Sequence, residues 1–159
     1  MNIIHFMLGV ILYSTFNLAV LSEAPTLKKI DTGEFIHGAY QTRILFGIII
    51  FALGSSFQHY SHRMFAALRK DKAGNLKSTA HVLPSGGAFE YISNPHYLGE
   101  IIIYSGFVCI LGLNHCAGIS IWIFVFINQI IAGLLNHNWY QEKFKNFPKA
   151  RKAIIPFLL

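Results

Sequence analysis

Glu90, Tyr91, Asn94, Pro95, His96, Tyr97 and Glu100 fall within eleven residues, directly ahead of an apolar run from Ile101 to Leu113. The whole stretch, Gly86 to Glu100, sets two carboxylates, a histidine and two tyrosines at the edge of hydrocarbon. A carboxylate there must be paired, protonated or used. Clusters of ionisable groups in such a place mark a binding or catalytic site. The plainer alternative is an interfacial cap in which Glu100 pairs with a cation. Asn94-Pro95 is a helix-start signal, with Asn at the cap and Pro at the first helical position. On a helix begun at Pro95, His96, Glu100 and Tyr104 recur every four residues and share a face.

A second set of polar residues, Asn128, Gln129, Gly133, Asn136, His137 and Tyr140, repeats at helical spacing within an otherwise apolar segment. Interhelical hydrogen bonds around a small residue would account for it, and an aromatic belt continues it through Trp139, Tyr140 and Phe144. A polar-lined pocket between the helices that carry the two sets is the reading preferred here. Gln58, His59, His62, Arg69, Lys70 and Lys72 form a third group. His59 and His62 are three apart, yet no carboxylate or third histidine is fixed beside them, so no metal site is expected. The cations suit phosphate, and they suit anionic lipid headgroups equally. The basic tail from Phe147 to Leu159 reads as an interfacial anchor or as a phosphate clamp. Gly86-Gly87 is no GxGxxG and follows no strand, which excludes a Rossmann site.

The elements that must position these groups are membrane helices. Of the 159 residues, 53% are hydrophobic and 13% charged, where a soluble domain carries about 25% charged; mean hydropathy is +0.46. A bilayer-spanning helix needs roughly 20 apolar residues. Four segments approach that length: Ile3 to Leu21, Tyr40 to Phe57, Leu98 to Leu113 and Ala117 to Leu135. Tyr40 and Arg43 can snorkel at the edge of the second, whose helix is expected to extend over 58–72 to a turn at Lys72-Ala73-Gly74-Asn75. Ten of the thirteen Lys and Arg residues lie in the loop 58–96 or in the tail. The positive-inside rule places both on the cytosolic side, with both termini. The expectation is an all-α, integral-membrane bundle of about four transmembrane helices, one domain over residues 1–159. No basic tract interleaved with aromatics points to nucleic acid. Cys109 and Cys116 make no disulfide framework, and Cys109 reads as a small packed hydrophobe.

Gly86 to Glu100 followed by an apolar run resembles the C-terminal signature of the steroid 5α-reductase family. The tail Tyr140-x-x-x-Phe144-x-x-Phe147-Pro148-Lys149-x-Arg151-Lys152-Ala153-x-x-Pro156-Phe157 resembles that family's C-terminal end. Gln58–Arg63, Leu68 to Gly74 and Phe126-Ile127-Asn128-Gln129 leading to His137-x-x-Tyr140 resemble its polyprenal (polyprenol) reductase branch. The resemblance implies a multi-pass protein of the endoplasmic reticulum that binds NADPH. It implies reduction of the α,β-double bond of a long-chain isoprenoid in dolichol biosynthesis, which supports protein N-glycosylation. It places Gln58, His62, Arg69, His96, Glu100, His137 and Tyr140 at cofactor-contact positions. His96 stands where the family usually has Asn, and Val82 where it usually has Arg. The family has about seven spans, and its N-terminal half supplies the Glu and Tyr that polarise the substrate carbonyl. The chain is therefore expected to correspond to the C-terminal, cofactor-binding portion. Two rivals remain: an integral-membrane methyltransferase of lipids or isoprenoids, and a truncated form that binds cofactor without turnover.

Overall fold

The computed structural model describes residues 3–22, 38–71, 74–75 and 81–159. The described residues form four helices, α1 (Ile3–Ser22), α2 (Gly38–Leu68), α3 (Pro95–Leu111) and α4 (Cys116–Lys143), with a 3-10 turn at Gly87–Glu90. Among the described residues there is no strand; Ile92 and Lys152 form an isolated parallel bridge. The all-α expectation holds. Glu23, Lys28, Lys29, Asp31, Glu34, Lys72 and Lys77 lie outside the described residues, as do the side chains of His5 and Tyr40.

Each predicted span coincides with a helix. By length and composition, two described stretches are long and apolar enough to cross a membrane, Gln41–Leu68 and Cys116–Lys143. At 17 residues, α3 rises about 25 Å, a little under the roughly 30 Å hydrocarbon core. The expected extension of α2 is real and continuous, but it ends at Leu68 rather than at 72. The chain then turns on Asp71, whose carboxylate accepts from the Asn75 N–H at 2.9 Å, with Gly74 at φ +87°.

α2 and α3 touch along a seam of glycines seven residues apart, Gly47 and Gly54 against Gly99 and Gly106. Two turns of helix separate successive members, so all stay on the contact face. A Cβ on Gly106 would lie 2.7 Å from the Phe51 nitrogen, and one on Gly99 would lie 2.9 Å from Gln58 Cβ. Backbones packed this closely are what small residues permit between membrane helices. Outward, α2 exposes Leu45, Phe46, Ile48 and Leu53, the surface expected against lipid.

The best-buried residues sit at one end of the bundle, where α2 and α4 finish and α3 begins. Phe89, Ile92, Asn94 and Ile154 are sealed there. After α4 the tail folds back along the segment before α3: Lys152 N–H donates to Tyr91 O at 2.8 Å, Ser93 N–H to Lys152 O at 2.8 Å, and Asn94 N–H to Ala153 O at 3.1 Å. Ile154 fills the space above Gly133. At Arg151 to Ile154 the tail is a core element, because apolar side chains and backbone donors find partners against the bundle, while Phe157 and Leu158 stay exposed. Between α3 and α4, the space at Gly133 is occupied by Ile154 of the tail.

Candidate functional site

Helix α3 begins at Pro95, with Asn94 as its cap residue. The Asn94 side chain does not cap the helix. Its Nδ2 donates to Gly133 O and Ala153 O, both at 3.0 Å, and its Oδ1 accepts from Asn136. One amide therefore joins α3, α4 and the tail. Gly86 N–H donates to the Glu90 carboxylate, so Glu90 closes its own turn. Gly87, at φ +54°, lets that turn pass Tyr60, whose hydroxyl would sit 2.9 Å from any Cβ there.

Five of the seven predicted site residues fall into two clusters flanking the first turn of α3, with Glu100 one turn further along that helix and Arg69 left outside. On the α2 side, Gln58 packs on Gly99. The His62 ring lies 5.5 Å from that of His96, which also meets Phe65 at 5.0 Å and Tyr97 at 4.2 Å. On the α4 side, His137 is held through both ring nitrogens: Ser93 Oγ lies 2.8 Å from Nδ1 and Gln141 Nε2 lies 2.9 Å from Nε2. With the Gln141 amide donating, Nδ1 carries the proton and donates to Ser93. Tyr140, 7% exposed, stacks on Phe147 at 6.4 Å and 15°. Arg69 is exposed beyond the end of α2. Seven residues of helical rise set it roughly 10 Å along the axis from His62.

His96 is the most telling member. Its Nδ1 is buried and has no hydrogen-bond partner, a state that costs about 1–3 kcal/mol unless a ligand satisfies it. His96 stands two residues ahead of the apolar run that opens at Leu98. Burial, and then the neighbouring His62, lower its pKa from 6.5 to about 4, so the ring is neutral at physiological pH and one nitrogen remains free to accept. Titration by NMR of labelled histidine should find this pKa near 4; a midpoint near 6.5 would contradict the buried geometry. As pH falls from about 6.5 towards 4, the unfolded chain takes up the proton before the folded one does. Stability should drop over that window by about 3 kcal/mol and gain nothing from His96 above it.

Glu100 follows His96 by one turn and is half-buried, and among the described residues no Lys or Arg forms an ion pair with it. The capping alternative required such a cation. Sequence reasoning missed Ser93 as the partner of His137, and it missed the structural role of Arg151. Arg151, 3% exposed, donates from Nη1 to Pro84 O at 3.0 Å and lies over Phe147 at 5.5 Å. Burial lowers its pKa while nearby Glu90 works in favour of its charge. Only the fold-back of the tail places it there, and the sequence carries no signal for that contact.

The arrangement suits a ligand that is amide-rich and anionic in different parts. A neutral imidazole nitrogen and an unpaired carboxylate stand at one end, with Arg63, Arg69 and Lys70 exposed along the end of α2. A nicotinamide carboxamide offers both a donor and an acceptor, the hydrogen-bonding roles that an orphaned imidazole nitrogen and a carboxylate call for. The residues present therefore fit NADPH at this end.

The profile of the family described as 3-oxo-5-alpha-steroid 4-dehydrogenase matches residues 1–159. A polyprenal reductase of Danio rerio is 34% identical over 161 residues, covering 99% of this chain and 51% of that protein. The Homo sapiens polyprenal reductase is 32% identical, covering 99% and 50%, and that of Drosophila melanogaster 35%, covering 99% and 49%. The chain spans about half the length of the curated relatives it matches. On the match along its whole length, the chain belongs to the steroid 5α-reductase (3-oxo-5-alpha-steroid 4-dehydrogenase) family.

Proposed function

We propose that this chain is the cofactor-holding part of an NADPH-dependent reductase that saturates the α,β-double bond of a polyprenal in dolichol synthesis. The observation that carries the reading is the orphaned His96 Nδ1 one helical turn before Glu100, which pairs with no Lys or Arg among the described residues, in a chain with polyprenal reductases among its relatives. In this reading α1 to α4 all cross the membrane of the endoplasmic reticulum, with both termini cytosolic. The nicotinamide, when bound, supplies hydride chemistry. His96 and Glu100 hold its carboxamide, and the Ser93–His137–Gln141 chain with Tyr140 keeps the α4 wall in place. Gln58 lines the α2 wall beside Gly99. Arg69 and Lys70 attract the phosphates from the aqueous side.

Glu100→Gln keeps the size and removes the charge. It should weaken NADPH binding by about 10-fold or more, as loss of a charge-assisted hydrogen bond does; an unchanged Kd would refute the assignment. Expression in cells lacking polyprenal reductase, scored for dolichol and N-glycosylation, tests the whole reading. The half-length relative to its matches favours one second reading, a form that binds cofactor without turnover. Rescue in those cells would exclude that form; tight NADPH binding without rescue would establish it.

A further inference from the structure

The tail ends in a closed turn to which none of the predicted site residues belongs. Ile154 and Ile155 N–H both donate to Leu159 O at 2.9 Å, and Leu159 N–H donates to Ile155 O at 3.0 Å. Phe157 sits at the tip with φ 66°, a left-handed conformation that crowds the Cβ of an L residue against its own backbone. Among the described residues no other non-glycine has a positive φ. The turn therefore carries strain, yet it does not bury what it bends. Phe157 is 83% exposed and Leu158 76%. Tyr91, also exposed, lies beside Phe157 with ring centroids 6.0 Å apart. Three large apolar side chains thus stand outside, on backbone pinned to the bundle through Lys152 and Ala153. Strain that the surrounding structure maintains points to function, and an exposed apolar cluster rimmed by charge marks a protein or membrane contact.

Charge and depth both name a lipid surface as the partner. Residues 136–159 hold Lys143, Lys145, Lys149, Arg151 and Lys152 against Glu142 as the one acid. Lys143, Lys145 and Lys149 are exposed, and Glu90, next to Tyr91, is taken up by the Gly86 N–H. The 17 residues of α3 rise about 25 Å in a roughly 30 Å hydrocarbon core, so a spanning α3 puts Pro95 at the hydrocarbon edge. Tyr91 precedes Pro95 by four residues and accepts from Lys152 N–H, which sets the Tyr91–Phe157 pair at headgroup depth. Helix α4 runs on from His137, level with Ser93, for roughly 9 Å more to Lys143. Aromatic groups at headgroup depth with lysines reaching the phosphates are the arrangement that an interface favours.

We infer that Tyr91, Phe157 and Leu158 form a docking tip that inserts among the headgroups of the cytosolic leaflet, while Lys149 and Lys152 pair with anionic lipid phosphates. The inference rests on the membrane topology of the reading above. It also reaches the site: the backbone that the tip pins carries Ser93, the partner of His137, so lipid holds that wall from outside.

The test uses the full chain in nanodiscs of phosphatidylcholine, alone or with about 30% phosphatidylserine. Phe157→Trp and, separately, Leu158→Trp add an indole at the tip, read as the difference from the parent with its Trp122 and Trp139. Lipid brominated near the carboxyl end of its acyl chains should quench the added indole. Acrylamide in the water should quench it at least about 3-fold less than it quenches free N-acetyltryptophanamide, as for an indole at the interface. Phosphatidylserine should strengthen the lipid quenching, and Lys149→Gln with Lys152→Gln should remove that gain. Thermal midpoints check each fold; if Phe157→Trp unfolds the tail, Leu158→Trp decides alone. Full acrylamide quenching without lipid quenching would leave the tip in water and overturn the proposal. Shielding from both quenchers would overturn it too, since protein or cofactor would then cover the tip. Lipid quenching indifferent to phosphatidylserine overturns the pairing of lysine with phosphate. NADPH affinity in the same discs keeps the two readings apart: lipid quenching without NADPH binding sinks the cofactor reading and leaves the tip assignment standing.

Discussion

Gly106→Leu is expected to drive α2 and α3 apart and lower the stability of the bundle by about 3 kcal/mol or more. A Cβ at Gly106 would meet the Phe51 nitrogen at 2.7 Å and the Gly47 oxygen at 2.9 Å. Both are helix backbone, so no side-chain rotation can relieve the overlap; a whole helix must move. The consequence reaches the site. The same seam sets Gln58 on Gly99 and His62 beside His96, so displacing α2 uncovers the buried imidazole. Thermal unfolding in detergent should show a midpoint well below wild type, and the His96 pKa should rise towards 6.5. Leu45→Ala, on the exposed face of α2, should change neither. A wild-type midpoint for Gly106→Leu would show that the helices do not pack on this seam.

The second large effect is at Asn94. It is fully buried and makes three side-chain hydrogen bonds, two donated to Gly133 O and Ala153 O and one accepted from Asn136. Each is worth about 0.5–1.5 kcal/mol, and the Asn136 donor left without its partner adds a desolvation penalty. Asn94→Ala should therefore cost about 3 kcal/mol and free the tail. Asn94→Asp keeps the shape but has no N–H to donate, and should fail in the same way. Limited trypsin digestion reads this directly. Cleavage after Lys149, Arg151 or Lys152 should be slow in wild type, where Arg151 is buried, and fast in either variant. Equal cleavage rates would mean that the tail is held by Ile154 packing alone.

These two positions show where sequence reading succeeds and where it stops. Asn94-Pro95 announces a helix start, and the helix does begin at Pro95, since Pro at the first position is a local effect of φ and a missing N–H. The use of the Asn94 side chain is not local. Its partners lie 39, 42 and 59 residues away, and no propensity encodes such distances. The polar repeat on α4 was legible in part: Gln129, Gly133 and Tyr140 are buried, whereas Asn128 is exposed. The predicted cofactor residues were likewise brought together only in part. His62 and His96 meet, His137 is anchored through Ser93, and Arg69 stands apart.

The sequence by itself determined the helical architecture, because hydropathy and helix signals act over a few residues. It also determined family membership, because the motifs around Glu100 and in the tail are contiguous. The tertiary structure decided what each polar group is for. Glu90 and Glu100 look alike in the sequence, ten residues apart beside the same apolar run. Packing makes Glu90 the acceptor of its own turn and leaves Glu100 half-buried, with no Lys or Arg paired to it among the described residues. It also folds Ala153 and Ile154 of the basic tail into the core. The physical reason is that a buried polar group must find its partner in space, and here those partners lie tens of residues away along the chain.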